Sequence, residues 1–192
     1  MRLELIKEIF LFFARFPDKA GVKELFSQGE SNLALYDEWM QAVDALPEDS
    51  IFPEIKHYVF GSNPQAVSER ISKINDCYML VDYGQITSEI GNIGNIEDSM
   101  AMLITVAYPS KKDSNDLMEL AAKSEMAMDI MSRLRNHLYN EEKCTPWLKQ
   151  AMAEHELMPW EAISLMPSTG WTLMLERREA DMLKMKDKQR FR

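Results

Sequence analysis

The chain has 192 residues, of which 46% are hydrophobic and 28% charged, a composition that excludes a disordered chain, a collagen and a disulfide scaffold. Its 31 acidic and 22 basic residues give a formal net charge of -9, a field that repels nucleic acid. The basic residues cluster only at the C-terminus, so we expect residues 181–192 to form a solvated tail. The alternative for this tail is a contact with an acidic partner surface or with nucleic acid.

The first fifty residues are predicted to form a helical arm. Apolar residues recur at helical spacing and predict a helix over residues 2–16; they are Leu3, Ile6, Ile9, Phe10, Phe13 and Phe16. Phe12 lies off this stripe, so the helix needs cover from its own domain or from a neighbouring subunit. A second helix is predicted over 33–46 and ends at Pro47. We therefore divide the chain into an arm at 1–50, a core domain at 51–180 and the tail at 181–192.

Alternating signals predict the core domain. Strands are expected at 55–60, 77–83, 99–108, 157–166 and 171–178. One helix is expected to begin at Pro64 with Asn63 as its N-cap, and two more are expected at 116–139 and 146–154. Residues 84–98 are predicted to be a long glycine-containing loop. This order predicts an α+β fold, a two-layer sandwich with a ferredoxin-like βαββαβ core and an extra strand. The expected core residues are Ile71, Ile74, Met79, Val81, Leu103, Ile104, Val106, Met131, Leu134 and Leu173.

Catalytic motifs are missing from the sequence. The stretch from His155 to Pro159 begins like a zinc-protease motif but has no second histidine one helical turn later. There is no G-x-S-x-G elbow, no phosphate-binding P-loop and no C-x-x-C pair. Asp82, at the end of a strand, favours a structural role such as bonding to the amides of the following turn, although burial would let it act as an acid or base. We predict no catalytic residue, no cofactor and no metal ligand.

Membrane insertion and secretion are not expected either. The longest nearly apolar run, from Met100 to Tyr108, is nine residues long, against the roughly 20 that a spanning helix needs. Only two cysteines are present, too few for a disulfide framework. We therefore predict a cytoplasmic protein, and we expect Cys77 to be a buried thiol of the core.

The order of short stretches along the chain resembles a known class of proteins. One predicted strand ends in Val81-Asp82-Tyr83-Gly84, and a loop connects it to a hydrophobic strand that begins near Asp98-Ser99-Met100. A long helix and the pair Trp147-Leu148 follow. The last strand begins with Gly170-Trp171-Thr172. Over about residues 55–180 this resembles the small α/β proteins of bacteriophage and prophage tail assembly, the tail-terminator or tail-completion class. The resemblance implies a structural protein that forms rings capping or joining tail tubes. It carries no site residues over to this chain.

Two functional hypotheses follow. The first is a non-enzymatic assembly protein that associates with protein partners and with itself, in the cytoplasm or in a virion-like particle. Its candidate contact residues are Phe10, Phe13 and Phe16 in the arm, Ile93 in the loop, and Lys186 and Arg190 in the tail. The second is a small-molecule-binding or regulatory α+β domain with a cleft beside Tyr78, Asp82 and Tyr83, which a deep pocket with convergent polar groups would favour.

Overall fold

The computed structural model describes residues 4–26, 31–90, 95–110, 116–143, 145–161, 168–180 and 182–183. The helices of this part of the chain are α1 (Leu5–Phe13), α2 (Lys19–Lys23), α3 (Ala34–Asp44), α4 (Pro64–Ile71), α5 (Leu117–Glu141) and α6 (Pro146–Ala153). The strands are β1 (His57–Phe60), β2 (Tyr78–Asp82), β3 (Ile86–Ile90), β4 (Ile96–Pro109), β5 (His155–Glu161) and β6 (Ser168–Ala180). The chain is thus an α+β protein, as the sequence predicts.

The helix starts follow from local chemistry. The Asn63 side chain accepts hydrogen bonds from the amides of Gln65 and Ala66, both at 3.1 Å, and confirms the predicted N-cap in front of Pro64. Asp116 caps the long helix α5 in the same way, accepting from the amides of Met118 and Glu119. These caps satisfy amides that have no partner inside the helix, and they fix where each helix begins.

The strands form one mixed sheet in the order β1-β2-β4-β6-β5, and β3 pairs with β4. β1 and β2 are parallel neighbours, whereas the other pairs are antiparallel. In a split βαβ unit another strand separates the two parallel strands, so the predicted ferredoxin-like order is not the order of this sheet. The connection through α4 returns β2 directly beside β1, which element order along the sequence does not reveal.

Helices cover both faces of the sheet. We call the face that carries Met102, Ile104 and Leu173 the front face; it packs against α1, α5 and α6 in the main hydrophobic core. The opposite, back face carries Tyr78 and Leu80, which form a smaller cluster with Val67 and Ile71 of α4. The predicted two-layer arrangement therefore does not describe the part of the sheet under α4, where helices lie on either side.

The predicted core is buried at every position except one. Leu103 is only half-buried, while the other nine expected residues are buried. The register explains the difference, because Leu103 points to the back face beyond α4, whereas its neighbour Ile104 points into the main core. Cys77 is buried as predicted, and burial raises the pKa of its thiol to about 12.

The N-terminal helices contribute to the same core. Leu5, Ile9, Phe10 and Phe13 of α1 are buried together with residues of β2, β4 and β6. The buried Lys19 side chain ties α2 to the end of α3, since its Nζ donates to the carbonyl oxygens of Asp44 (3.0 Å) and Leu46 (2.6 Å) and to Glu48 Oε1 (2.7 Å). These bonds satisfy carbonyls at the helix end.

The predicted division of the chain into an arm, a core domain and a tail, with boundaries at residues 50 and 180, stays a prediction.

Candidate interaction surface

At one end of the sheet, β3 and the adjoining parts of β4 and β6 form a three-stranded ribbon, which we call the β-arm. β4 pairs with β3 along residues 96–100 on one side, and with residues 177–180 of β6 along residues 97–100 on the other. The prediction of a long loop over 84–98 is wrong for residues 86–90 and 96–98, because they form strand β3 and the start of β4. The two strands pair in a continuous antiparallel register from Ile86↔Met100 to Ile90↔Ile96. The pattern was missed because residues 87–90 are all exposed, so neither face shows hydrophobic alternation.

Polar anchors hold the β-arm on its front face. The buried Asp98 carboxylate accepts hydrogen bonds from Ser88 Oγ (2.6 Å) and from the amide of Leu183 (3.1 Å). The hydrogen bond from Ser88 is the main cause that lowers the pKa of Asp98, with smaller contributions from the amides of Leu183 and Met182. This carboxylate therefore joins three segments of chain: β3, β4 and the turn after β6.

A second anchor connects the ribbon to the helices. The Arg177 side chain, 6% exposed, contacts Glu179 Oε1 at 2.8 Å and Glu8 Oε2 of α1 at 3.4 Å. Its guanidinium also lies 5.1 Å from the centre of the Trp147 ring on α6. Alternation along β6 places Arg177 on the core face after Leu173 and Leu175. Sequence reasoning missed this residue because an arginine in that position normally points to solvent.

The outer edge of β3 has no neighbouring strand among the described residues, where β3 pairs with β4 alone. The Ala101 amide donates to the Gln85 carbonyl at 3.2 Å, so these two residues face each other as a hydrogen-bonded pair. Hydrogen-bonded and non-bonded pairs alternate along an antiparallel ladder. The backbone groups of Thr87 and Glu89 therefore point to β4, while those of Ile86, Ser88 and Ile90 point outward.

Apolar side chains lie along the outer edge of β3. Ile90 is 80% exposed and its cross-strand partner Ile96 45% exposed, both on the front face at the far end of the β-arm. At the near end, Ile86 borders a groove of about 380 Å³ between the ribbon and helices α1 and α3. Its apolar walls are Leu5, Ile6, Leu35, Trp39, Ile86 and Leu183. Trp39 stacks on Phe10 at 5.1 Å between ring centres, and its Nε1 is buried with no hydrogen-bond partner among the described residues.

The predicted contact residues do not gather at this surface. Phe10, Phe13 and Phe16 are at most 2% exposed and lie in the chain's own core, so in this fold they are not offered to another molecule. Ile93, Lys186 and Arg190 lie outside the described residues. Sequence reasoning missed β3 itself, although the β-branched residues in Ile86-Thr87-Ser88-Glu89-Ile90 are a signal for a strand.

Tyr78, Asp82 and Tyr83, which the second hypothesis places beside one cleft, do not line a shared cavity among those described here. The Tyr78 hydroxyl is buried and donates a hydrogen bond to Ser168 Oγ at 2.7 Å. Burial raises the pKa of Tyr78 to about 12. Asp82 Oδ1 accepts from the amide of Gly84 at 2.9 Å, the turn contact that the sequence favours. Tyr83 borders two cavities, the groove and a separate pocket, and neither Tyr78 nor Asp82 lines either of these two.

That separate pocket has a volume of about 320 Å³ and lies at the carboxyl ends of the parallel strands β1 and β2. Gly61, Arg70 and Tyr83 are among its walls. The Arg70 NH2 group donates to Glu24 Oε2 at 3.0 Å, and the same oxygen lies 3.2 Å from His57 Nδ1. Arg70 Nε is buried with no hydrogen-bond partner among the described residues.

The other histidines have contacts elsewhere. His137 faces Glu141 at 3.2 Å, and His155 lies 2.8 Å from Arg135 Nε. Within the described ranges, His, Cys, Asp and Glu side chains nowhere gather in groups of three or more that could hold a metal ion. No helix in the described part of the chain combines the length and apolar character needed to cross a membrane. No protein-family model, curated protein or solved structure matches this chain.

Proposed function

We propose that this chain is a non-enzymatic assembly subunit that associates with itself and with other protein chains, as a tail-terminator or tail-completion protein of a prophage does. The observation that carries the proposal is the β3 edge, which no other strand covers in the described part of the chain. This edge lies beside a largely apolar groove and ends in an isoleucine that is 80% exposed. Cytoplasm or a virion-like particle is the proposed location.

Unpaired edges are usually protected in proteins that remain monomeric. Proline, lysine, a bulge or a covering segment keeps another chain from adding a strand. β3 contains neither proline nor lysine, its one charged residue is Glu89, and its register with β4 has no bulge. An open edge of this kind, with exposed apolar side chains, is typical of a surface that another chain covers.

Sedimentation of the intact chain over low to high micromolar concentration tests the proposal. The expected result is an average mass that rises with concentration. Because each chain carries a formal charge of -9, adding salt should strengthen the association by screening the repulsion between copies. A monomer at every concentration, at both low and high salt, would contradict self-association.

A second candidate function is the binding of a small anion in the 320 Å³ pocket. The buried Arg70 Nε, which has no hydrogen-bond partner among the described residues, favours it. Phosphate and small carboxylates would then raise the melting temperature of the native chain but not that of Arg70→Gln. Equal responses from the two proteins would contradict a site at Arg70.

A further inference from the structure

We propose that two copies of this chain pair through their β3 strands, antiparallel about Ser88, and form a twofold-symmetric dimer with one continuous sheet. The inference rests on the proposed function, because it names the surface and the symmetry of the self-association. Its occupant is a second copy of the same strand, and three features of the β-arm lead to this choice.

The first feature is the direction of the backbone groups. Ile86, Ser88 and Ile90 present their N–H and C=O groups outward, as the Gln85–Ala101 hydrogen bond establishes through the alternation of the ladder. In an antiparallel pair centred on Ser88, Ile86 of one copy faces Ile90 of the other, and Ser88 faces Ser88. All three outward-pointing residues then meet outward-pointing partners, so each copy satisfies the open edge of the other.

The second feature is the match of side chains. In this register the two isoleucines face each other across the new strand pair, and Glu89 faces Thr87 of the second copy, so no two acidic residues oppose each other. Ile90 reaches the front face beside Ile86 of the second copy, at the groove formed by Leu5, Ile6 and the other apolar walls. A side chain that is 80% exposed in one copy thus gains apolar cover in the pair.

The third feature is that the two outermost strands of the sheet, β1 and β5, are protected. β5 carries Pro159, which has no N–H to donate to an added strand. α2 lies against the start of β1, where a Cβ atom placed on Gly21 would be 2.0 Å from the Lys56 carbonyl oxygen. β3 is therefore more accessible to an added strand than β1 or β5. Pairing of identical edges gives a closed twofold dimer, and a ring built from such dimers would need a further interface.

Cysteine cross-linking tests the register. Thr87 and the second copy's Glu89 form a non-hydrogen-bonded pair with Cα atoms about 4.5 Å apart, which a disulfide can bridge. Thr87 and its own copy across the twofold axis are about 8 Å apart, as are the two Glu89 residues, and this exceeds the reach of a disulfide. In a background with Cys144→Ser, mild oxidation of mixed Thr87→Cys and Glu89→Cys chains should give covalent dimers, and either variant alone should not.

A substitution at the exposed isoleucine provides an independent measurement. Ile90→Asp should raise the dimer dissociation constant at least tenfold, because it places a charge against the groove. Leu117→Asp, at a position on α5 that is 77% exposed and distant in sequence, is the matched control and should leave association unchanged.

The outcomes separate the two proposals. Cross-links only in the mixture, together with weakening by Ile90→Asp, support the β3 pair. Self-association without cross-links, or cross-links of one variant alone, overturns this register while the proposed assembly function stands. A native chain that stays monomeric at every concentration and salt overturns both.

Discussion

Replacing Ile104 by alanine should strongly destabilise the fold. Ile104 lies in β4 on the front face, fully buried, with Val81 of β2 on one side and Leu173 of β6 on the other. Neighbours held in two paired strands cannot collapse into the space left by the lost atoms, so we expect about 3–5 kcal/mol, the upper part of the usual range. For a chain of this length, that corresponds to a fall of about 6–20 °C in melting temperature.

Leu103→Ala is the matched control, since it removes a similar side chain one residue away on the half-buried back face. It should cost only about 1–2 kcal/mol. Urea denaturation of the native chain and both variants, with the slopes compared, gives the two free energies of unfolding. Equal losses, or a larger loss for Leu103→Ala, would refute the assignment of the two faces.

Two further predictions concern polar anchors. Lys19→Met should destabilise the fold by about 2–3 kcal/mol, because it leaves the carbonyls of Asp44 and Leu46 without their donor, and urea denaturation would measure this loss. The exposed Lys73→Met is its control and should be nearly neutral. The pKa of Asp98 in the folded chain lies below the value of 3.8 in the unfolded chain. The ionised carboxylate therefore stabilises the fold above about pH 3.8, and this stabilisation is lost as the pH falls through the folded pKa. Asp98→Asn should therefore be less stable than the native chain at pH 7, with a difference that shrinks towards pH 3; a difference independent of pH would contradict the role of the carboxylate.

Much of the fold could be predicted from the sequence because local signals set it. Asn63-Pro64 gives both the cap and the first turn of α4, and the alternation of Trp171, Leu173 and Leu175 gives β6 and its core face. Element types were right along most of the described core, and element ends differ by a few residues. These features depend on neighbours in the chain, so one sequence is enough to show them.

What could not be predicted depends on contacts between distant residues. The strand order follows from the path of α4 over the back face, and the burial of Arg177 follows from Glu8 and Trp147, which are far away in sequence. β3 is a strand because it pairs with residues 96–100, not because its own residues bury a face. The candidate surface was missed for the same reason: an edge exists only once its partner strand is known.

Residue-resolved amide hydrogen exchange, recorded at low and high protein concentration, tests the central claim most directly. In the monomer, the amides of Thr87 and Glu89 should be protected by β4, and those of Ile86, Ser88 and Ile90 should exchange quickly. At concentrations where sedimentation shows association, the three outward amides should become protected as well. Fast exchange of Ile86, Ser88 and Ile90 in the associated state would contradict assembly through the β3 edge.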